Sequence, residues 1–271
     1  MIKVTENVYV ESGMIGCNLG LVSTKEGIVA IDTPVAPTEA VKWRHEISKR
    51  GELRYLINTE EHADHSLNSW LFAGVLITSQ ETRKKLAKRP AEQFIPVVKD
   101  VDPEGLSLME SFRLRLADIT FTGSLNLYLG DHTFSLFDLP GHSTGGIGVY
   151  IPEERVVFAT DCVFHHLRSW LHESIPDQWL RSLKKLGELD VDIIVPGHGG
   201  ICKKDYLEEQ AGIIRKWVEI IQSAIKRGLS EDEAMAQISQ PDPYPKAPKT
   251  PGTETELNRR IIAQLYRLYS R

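Results

Sequence analysis

The stretch Asn58-Thr59-Glu60-Glu61-His62-Ala63-Asp64-His65 directly follows the run 54–57, whose composition is typical of a β-strand. Four of its side chains can ligate a metal ion, namely those of Glu60, His62, Asp64 and His65. They are spaced too closely to share one helix face, where neighbours lie three or four residues apart. On a loop after a strand they could divide between two neighbouring ions. Imidazole together with carboxylate suits zinc, iron or manganese.

Three more polar segments follow predicted strands further along the chain. They are Pro140-Gly141-His142-Ser143 after the strand 133–139, Thr160-Asp161 after the strand 155–159, and Pro196-Gly197-His198-Gly199 after the strand 192–195. Sheet proteins commonly place their sites in loops just past the C-terminal ends of strands. A single histidine in such a place would mean little, but four similar placements indicate one shared site.

The first two hundred residues alternate short apolar runs with helical patterns. Runs bounded by Gly, Asn, Asp or Pro predict strands at 8–10, 19–22, 28–31, 55–57, 119–121, 125–129, 148–151 and 191–195. Helices are predicted at 39–50, 80–89 and 178–189. Two β-rich halves, each followed by helices, indicate a layered α/β sandwich.

The pattern becomes helical after Gly200. An amphipathic helix is predicted at 205–227, and a last helix at 254–269 has its apolar residues on one face. Between them, Ser230 and Glu233 have the spacing of a capping box at the start of a further helix.

The segment 240–252 holds five prolines, which predicts a loop or strap. We therefore expect two parts in the chain. Residues 1–200 form the sandwich domain, and residues 201–271 form a C-terminal helical extension that packs on it.

Composition places the chain among ordinary globular proteins. Of 271 residues, 41% are hydrophobic and 25% are charged, and the net charge is −5, so collagen-like, coiled-coil and disordered classes fit poorly. No run reaches the roughly 18 apolar residues of a membrane helix. The N-terminus lacks the apolar region of a secretory signal. Three cysteines without CxxC spacing, Cys17, Cys162 and Cys202, indicate neither disulfides nor a cysteine-based zinc site.

These features predict a cytoplasmic protein and carry no information about small-molecule substrates. The mild negative charge argues against binding to nucleic acid, and no feature indicates a membrane partner. A homodimer is compatible with the sequence.

The sequence resembles the metallo-β-lactamase superfamily over about residues 1–200. The resemblance rests on five landmarks: Asp32, the motif 60–65, His142, Asp161 and His198. It implies a four-layer αββα sandwich that carries a dinuclear metal site.

The resemblance also implies a role for each landmark. Glu60, His62 and His142 would hold one ion, Asp64, His65 and His198 would hold the second, and Asp161 would bridge them. Behind these ligands, Asp32 would orient a ligating histidine, as carboxylates commonly do, and Thr59 would lie beside it. We expect two divalent ions, with zinc as the first choice and iron or manganese as alternatives at the Glu60 site.

Glu60 departs from the family motif H-x-H-x-D-H, in which its position is a histidine. As a ligand it would add one negative charge, which weakens the Lewis acidity of the cluster and favours harder ions. Our hypothesis is that Glu60 still ligates. The alternative is a solvent-facing carboxylate beside a mononuclear site, since exposed carboxylates in loops are common.

The implied chemistry is metal-assisted hydrolysis, in which a hydroxide held between two ions attacks a carbonyl and Asp64 orients it. Asp161 makes the chain more similar to the glyoxalase II and lactonase branches than to true β-lactamases. We therefore expect cleavage of a small ester, thioester or lactone, with β-lactam hydrolysis as an alternative. Two other classes remain open: a non-hydrolytic iron enzyme such as a persulfide dioxygenase, and a binding protein that has lost its metal.

Other polar residues near the motifs have weaker functional interpretations. His165, His166 and His172 could line a substrate cleft, although solvated loop histidines are more common. Cys162, next to Asp161, is interpreted as a buried hydrophobic residue. Ser143 lacks the G-x-S-x-G context of a serine hydrolase.

Overall fold

The computed structural model describes residues 1–248 and 253–270. Within these ranges the chain forms two β-sheets with helices on their outer faces. The first sheet has seven strands: β1 (Ile2–Lys3), β2 (Val8–Glu11), β3 (Leu19–Thr24), β4 (Gly27–Ile31), β5 (Leu53–Ile57), β6 (Val75–Ser79) and β7 (Ile119–Phe121). They lie side by side in chain order, antiparallel from β1 to β4 and parallel from β4 to β7.

The second sheet has five strands in the described part of the chain: β8 (Ser124–Leu129), β9 (His132–Asp138), β10 (Ile147–Ile151), β11 (Val156–His165) and β12 (Ile193–Gly199). Their spatial order is β12-β11-β10-β9-β8. Pairing is antiparallel from β8 to β11, whereas β11 and β12 are parallel.

The helices of the described residues are α1 (Pro37–Ser48), α2 (Ala63–Ser66), α3 (Gln80–Ala87), α4 (Ile95–Val101), α5 (Pro176–Glu188), α6 (Asp205–Lys226), α7 (Glu231–Gln237) and α8 (Glu254–Tyr269). Short 3₁₀ helices occupy Leu67–Leu71, Ala91–Phe94, Pro103–Ser111 and Pro152–Glu154. The predicted capping box is present, because Ser230 and Glu233 exchange side-chain and backbone hydrogen bonds at the start of α7.

Three apolar layers hold these elements together. Between the sheets, Val29 and Ile57 of the first pack in one cluster with Leu136 and Val149 of the second. On the outer face of the first sheet, Trp43 of α1 packs in a further cluster. Residues of α5, α6 and α8 cover the outer face of the second sheet. The predicted four-layer αββα arrangement, with C-terminal helices, is confirmed.

The C-terminal helices share one apolar cluster with α5 and the second sheet. Trp217 of α6 and Ile261 of α8 are fully buried in that cluster. The division of the chain at residue 200 stays a prediction. The proline-rich segment has neither helix nor strand over 240–248, and its residues 249–252 lie outside the described ranges.

The structure corrects one detail of the predicted strand ends. Asp161 and His198 do not follow their strands but lie within β11 and β12. The physical reason is an irregularity at Thr160, whose φ is 51° and where the β11–β12 register shifts. Pairing resumes beyond it, with Phe164 opposite His198. Bulges of this kind redirect a side chain without ending the strand.

Residues 91–116, for which the sequence pattern predicted no element, form α4 and two of the 3₁₀ helices. Phe94, Val98 and Phe112 of this segment form an apolar cluster with Val35 and Leu67. Because Leu67 directly follows α2, this cluster packs behind the metal-ligand motif. None of the helices in the described residues has the length and apolar character needed to cross a bilayer.

The outer helix layer depends on the burial of Trp43, which has no exposed surface. We expect Trp43→Ala to lower the free energy of unfolding by about 3–5 kcal/mol, because it leaves a large cavity against the first sheet. Urea denaturation followed by circular dichroism measures the change. The matched control is Lys42→Ala on the same helix, expected to change stability by less than about 0.5 kcal/mol. Equal effects of the two substitutions would contradict the packing described.

Candidate metal centre

The motif loop after β5 is held by the side chain of Asn58. Its amide donates to the carbonyl of His65 at 2.8 Å, and its Oδ1 accepts from Ser69 Oγ at 2.6 Å. Asn58 is buried, so these hydrogen bonds are shielded from competing water. The loop therefore closes on itself and brings residues 60–65 to the end of the first sheet.

Asp32 lies behind this loop, at the end of β4, with a φ of 62°. Its Oδ1 accepts from the backbone N–H of Thr59 at 2.7 Å, and its Oδ2 accepts from Thr59 Oγ1 at 2.6 Å. The same Oδ2 lies 2.9 Å from Nδ1 of His65. Since a carboxylate accepts hydrogen bonds, His65 carries its proton on Nδ1 and presents Nε2 to the site.

His142 is oriented in the same way by a backbone carbonyl. Its Nδ1 donates to the carbonyl oxygen of Trp170 at 2.8 Å. Nε2 therefore faces the site, 3.4 Å from Asp161 Oδ2 and 3.7 Å from Glu60 Oε1.

Asp161 and His198 come from the neighbouring strands β11 and β12. The irregular turn at Thr160 directs the Asp161 carboxylate towards His198, whose Nε2 lies 3.3 Å from Asp161 Oδ1. A side chain at Gly197 could not coexist with this arrangement, because its Cβ would lie 1.9 Å from that oxygen. Phe164 stacks on the His198 ring with 5.4 Å between ring centroids.

The structure brings all seven sequence-predicted ligands together in two groups. Within each group, one potential donor atom per residue lies within 4.8 Å of the others. The first group is Glu60, His62, His142 and Asp161, and the second is Asp64, His65 and His198. The two are adjacent, because Asp161 Oδ1 lies 3.4 Å from His65 Nε2.

Three buried ligand atoms in this cluster make no hydrogen bond among the described residues, namely His62 Nε2, His65 Nε2 and Asp161 Oδ1. Their closest contacts with oppositely charged groups in this part of the chain are at 3.3–3.5 Å. Buried polar atoms of folded proteins nearly always have a partner. Nitrogen and oxygen donors in this number are what a zinc, iron or manganese ion uses. The residues therefore fit the divalent metal ions that the fold implies.

Glu60 is buried, with 1% of its surface exposed, so the alternative of a solvent-facing carboxylate is wrong for this structure. Its Oε1 lies 2.5 Å from His62 Nδ1, and its Oε2 accepts from Ser143 Oγ at 2.9 Å. Ser143 thus holds Glu60 in place.

The packed charges shift the protonation of the cluster. Burial opposes ionisation of Asp161, but the imidazoles of His198 and His65 outweigh burial and hold the Asp161 pKa well below its usual value. Burial likewise disfavours protonated His198, yet the carboxylates of Asp161 and Asp64 raise its pKa to about 10. Such mutual stabilisation marks carboxylates and imidazoles that are held close without water between them.

A cavity of about 270 Å³ opens onto the cluster. Its lining is mainly apolar, with Val97 and Val101 of α4 on one side and Trp170 on another. His172 also lines this cavity. His165 and His166 are not among its lining residues in the described part of the chain. They stack on each other with 4.1 Å between ring centroids and pack against Tyr206.

Three residues that sequence reasoning did not select also reach the site. Glu173 Oε2 lies 3.5 Å from His62 Nε2, and Trp170 holds His142. Arg89 lines the cavity and donates to the carbonyl of Glu61 at 3.2 Å. Glu173 and Trp170 sit in a segment without a recognisable motif. The basic end of the predicted helix 80–89 was the only available signal for Arg89.

Comparison with protein families identifies the fold family. Residues 13–198, more than half of the chain, match the model described as "Metallo-beta-lactamase superfamily". The chain belongs to the metallo-beta-lactamase superfamily. Membership supports an enzyme, and in general terms a hydrolase, with a site for divalent metal ions.

Curated relatives of this superfamily member match only parts of their own length. The alpha subunit of 2,4-dinitroanisole O-demethylase from Nocardioides sp. is 25% identical over 64% of this chain and 49% of its own. A hydroxyacylglutathione hydrolase from Mesorhizobium japonicum is 27% identical over 56% of this chain and 61% of its own. Another hydroxyacylglutathione hydrolase, from Bartonella henselae, is 34% identical over 33% of this chain and 36% of its own. The chain thus spans less than two thirds of each of these relatives.

Solved structures of the superfamily share the fold. A metallo-beta-lactamase family protein from Thermus thermophilus has a TM-score of 0.72 and 16% identity, over 97% of this chain and 94% of that chain. A metallo-beta-lactamase from Pontibacter korlensis has a TM-score of 0.63 and 17% identity, over 79% of this chain and 97% of that chain. The match to the Thermus protein thus extends through the C-terminal helices.

The hydrogen bond from Thr59 to Asp32 provides a test of how this superfamily member supports its site. We expect Thr59→Val to lower the free energy of unfolding of the metal-free protein by about 1–3 kcal/mol, since the buried carboxylate loses a donor. Thr59→Ser keeps the hydroxyl and is expected to lose less. Denaturant unfolding in the presence of a chelator compares the two. A Val variant as stable as the Ser variant would show that this hydrogen bond contributes little.

Proposed function

We propose that this protein is a metal-dependent hydrolase that cleaves a small ester, thioester or lactone. One observation carries the proposal: seven imidazole and carboxylate side chains meet at one end of a mainly apolar cavity, and three of their buried atoms make no hydrogen bond within the described residues. Membership of a superfamily of mostly hydrolytic enzymes supports it. Burying these carboxylates and imidazoles together is costly, and bound cations would offset that cost.

The proposed ligand sets follow the two groups. Glu60, His62 and His142 would hold one divalent ion, Asp64, His65 and His198 the other, and Asp161 would contact both. When bound, such ions lower the pKa of water and polarise a carbonyl group. Zinc is the expected metal, and iron or manganese would suit the carboxylate of Glu60.

The chain's own groups would then align the reactants. We assign Asp64 the catalytic role of accepting a hydrogen bond from the attacking water, because its side chain lines the cavity and remains 27% exposed. Its Oδ2 is fixed 3.2 Å from His198 Nε2. Asp32 and Trp170 would keep His65 and His142 in the tautomers that face the site.

The cavity favours a compact substrate with an apolar acyl group. Aliphatic and aromatic side chains form the apolar part of its lining, and Arg89 is placed to meet a negatively charged group. The names of the hydroxyacylglutathione hydrolases agree with hydrolysis at an acyl bond.

A second candidate is cleavage of an activated aryl methyl ether. The Nocardioides relative is named as the alpha subunit of a 2,4-dinitroanisole O-demethylase, and its match extends over 64% of this chain. The aromatic rings of Trp170 and Phe164 in the cavity lining suit a flat aromatic substrate. Hydrolysis of 2,4-dinitroanisole would release the coloured 2,4-dinitrophenolate. Absorbance with this substrate therefore reports on ether cleavage alone and separates it from ester hydrolysis.

Metal analysis tests the proposed site directly. We expect the zinc-loaded protein to hydrolyse 4-nitrophenyl acetate or γ-butyrolactone, to lose this activity with a chelator and to regain it with zinc. His142→Ala should lose bound metal and turnover, because an imidazole donor is missing. His45→Ala, which changes an exposed histidine of α1, is the matched control. Full activity of the metal-free protein would contradict the proposal.

Substitution of Glu60 tests whether its carboxylate sets the metal preference. We expect Glu60→His to keep two metal equivalents, to bind zinc in preference to iron and to raise kcat, because a neutral donor leaves the cluster more positive. Glu60→Gln keeps the shape without the charge and serves as the comparison. Elemental analysis after growth in mixed metals measures the preference. An identical zinc-to-iron ratio in all three proteins would mean that Glu60 is not a ligand.

A further inference from the structure

The loop between β11 and α5, residues 166–175, forms one side of the proposed active site. Trp170 and His172 from this wall loop line the cavity. The Trp170 carbonyl accepts from His142 Nδ1, and Glu173 lies beside His62. The position of this loop therefore affects both the orientation of two proposed ligands and the width of the cavity.

The wall loop has no helix or strand of its own, and the C-terminal part of the chain holds it. The backbone N–H of Arg168 donates to the carbonyl of Pro245 at 2.8 Å. Farther along the loop, the carbonyl of Ser174 accepts from Gln264 of α8 at 2.7 Å. The Arg168 guanidinium contacts Glu254 at the start of α8. Hydrogen bonds thus join the wall loop to segments that lie far from it in the sequence.

Asp242 makes the central contact between the wall loop and the strap, which we define as residues 240–248. Its Oδ2 accepts from the N–H of Ser169 at 2.9 Å, and its Oδ1 accepts from the N–H of Tyr244, two residues on, at 3.0 Å. One carboxylate thus shapes the strap and joins it to the wall loop. We call the hydrogen bond between Ser169 and Asp242 the clamp.

Asp242 is buried although it lies outside the metal cluster. Only 2% of its surface is exposed, and burial raises its pKa. A buried carboxylate is costly unless its hydrogen bonds are satisfied. The side chain of Arg168, fully buried close by, offsets part of this cost. The proposed hydrolysis uses neither charge directly.

The strap reaches the cavity just after this clamp, where Ala247 and Pro248 join Trp170 in the lining. We propose that Asp242 is a positioning residue: its clamp fixes the strap and the wall loop as one wall, which holds the Trp170 carbonyl on His142 and limits the site to short acyl groups. This inference rests on the proposed hydrolysis for its substrate class. The claim that Asp242 keeps the Trp170 carbonyl on His142 does not depend on any substrate.

Two substitutions test the two hydrogen bonds of Asp242. Asp242→Asn has a single acceptor oxygen and no charge, so it can accept from Ser169 or from Tyr244 but not from both, and the clamp between the strap and the wall loop is weakened. Asp242→Ala loses both. Asp232→Ala changes an exposed aspartate of α7 and is the matched control. Circular dichroism confirms that each variant is folded before it is compared.

The first measurement uses metal-free protein and needs no activity. In ¹H–¹⁵N spectra, the Nδ1 proton of His142 should give a slowly exchanging downfield signal, assigned by its absence in His142→Gln. We expect this signal in the wild type and in Asp232→Ala, and its loss or fast exchange in both Asp242 variants. An unchanged signal in folded Asp242→Ala would overturn the inference, whether or not the protein is a hydrolase.

The second measurement compares zinc-loaded proteins on 4-nitrophenyl acetate and 4-nitrophenyl octanoate. Wild type should prefer acetate, and both Asp242 variants should lose about tenfold of this preference, with a higher KM for acetate. A purely structural role would lower the active fraction and leave KM and the acetate-to-octanoate ratio unchanged, which would contradict the specificity part. No hydrolysis of either ester by wild type would count against the proposed function and the specificity part together, and the His142 signal would still decide the clamp.

Discussion

The buried carboxylate of Asp32 is the contact on which the arrangement of the site depends. It joins the end of β4 to the start of the motif loop through Thr59 and fixes the ring of His65 with its other hydrogen bond. An aspartate can do this only because the backbone adopts a left-handed conformation there and turns the side chain back under the sheet edge. The conformational strain is offset by three short hydrogen bonds shielded from water.

Glu60 shows how a single changed donor is accommodated. A carboxylate at this position could repel Asp161, but the Nε2 atoms of His65 and His142 each lie within 3.7 Å of both carboxylates. Ser143 also donates a hydrogen bond to Glu60 Oε2. The substitution is therefore supported by its surroundings. Ser143, which the sequence excluded as a nucleophile, has a structural place as the donor to Glu60.

The sequence was most informative where the pattern is local. Apolar runs bounded by turn residues predicted ten of the twelve strands in the described residues, but missed β1 and β6 and ended β11 and β12 too early. The resemblance carried by Asp32, the motif 60–65, His142, Asp161 and His198 predicted which side chains would meet. These features are encoded by spacing and residue type. The bulge at Thr160 could not be predicted, because a positive φ in a threonine results from tertiary pairing of β11 with β12.

Most of the cavity wall was equally hidden from sequence, since of the three histidines proposed to line a cleft only His172 does so among the described residues. Val97 and Val101 belong to a short helix flanked by 3₁₀ turns, which has too few residues for a clear helical period. Trp170, Glu173 and Asp242 act through contacts between distant segments, and no local pattern reports such contacts. Residues that orient other residues are for this reason harder to find than the ligands themselves.

The two sheets contribute unequal shares of the cluster: the first supplies Glu60, His62, Asp64 and His65, and the second supplies His142, Asp161 and His198. The donors therefore belong to two slabs that touch through an apolar layer over much of their area. A shift of one sheet relative to the other would move the donor atoms apart without breaking the hydrogen bonds within either sheet. The distances between the donor atoms therefore depend on how the two sheets are aligned. Warming that loosens the apolar layer should separate these atoms while the strands are still folded.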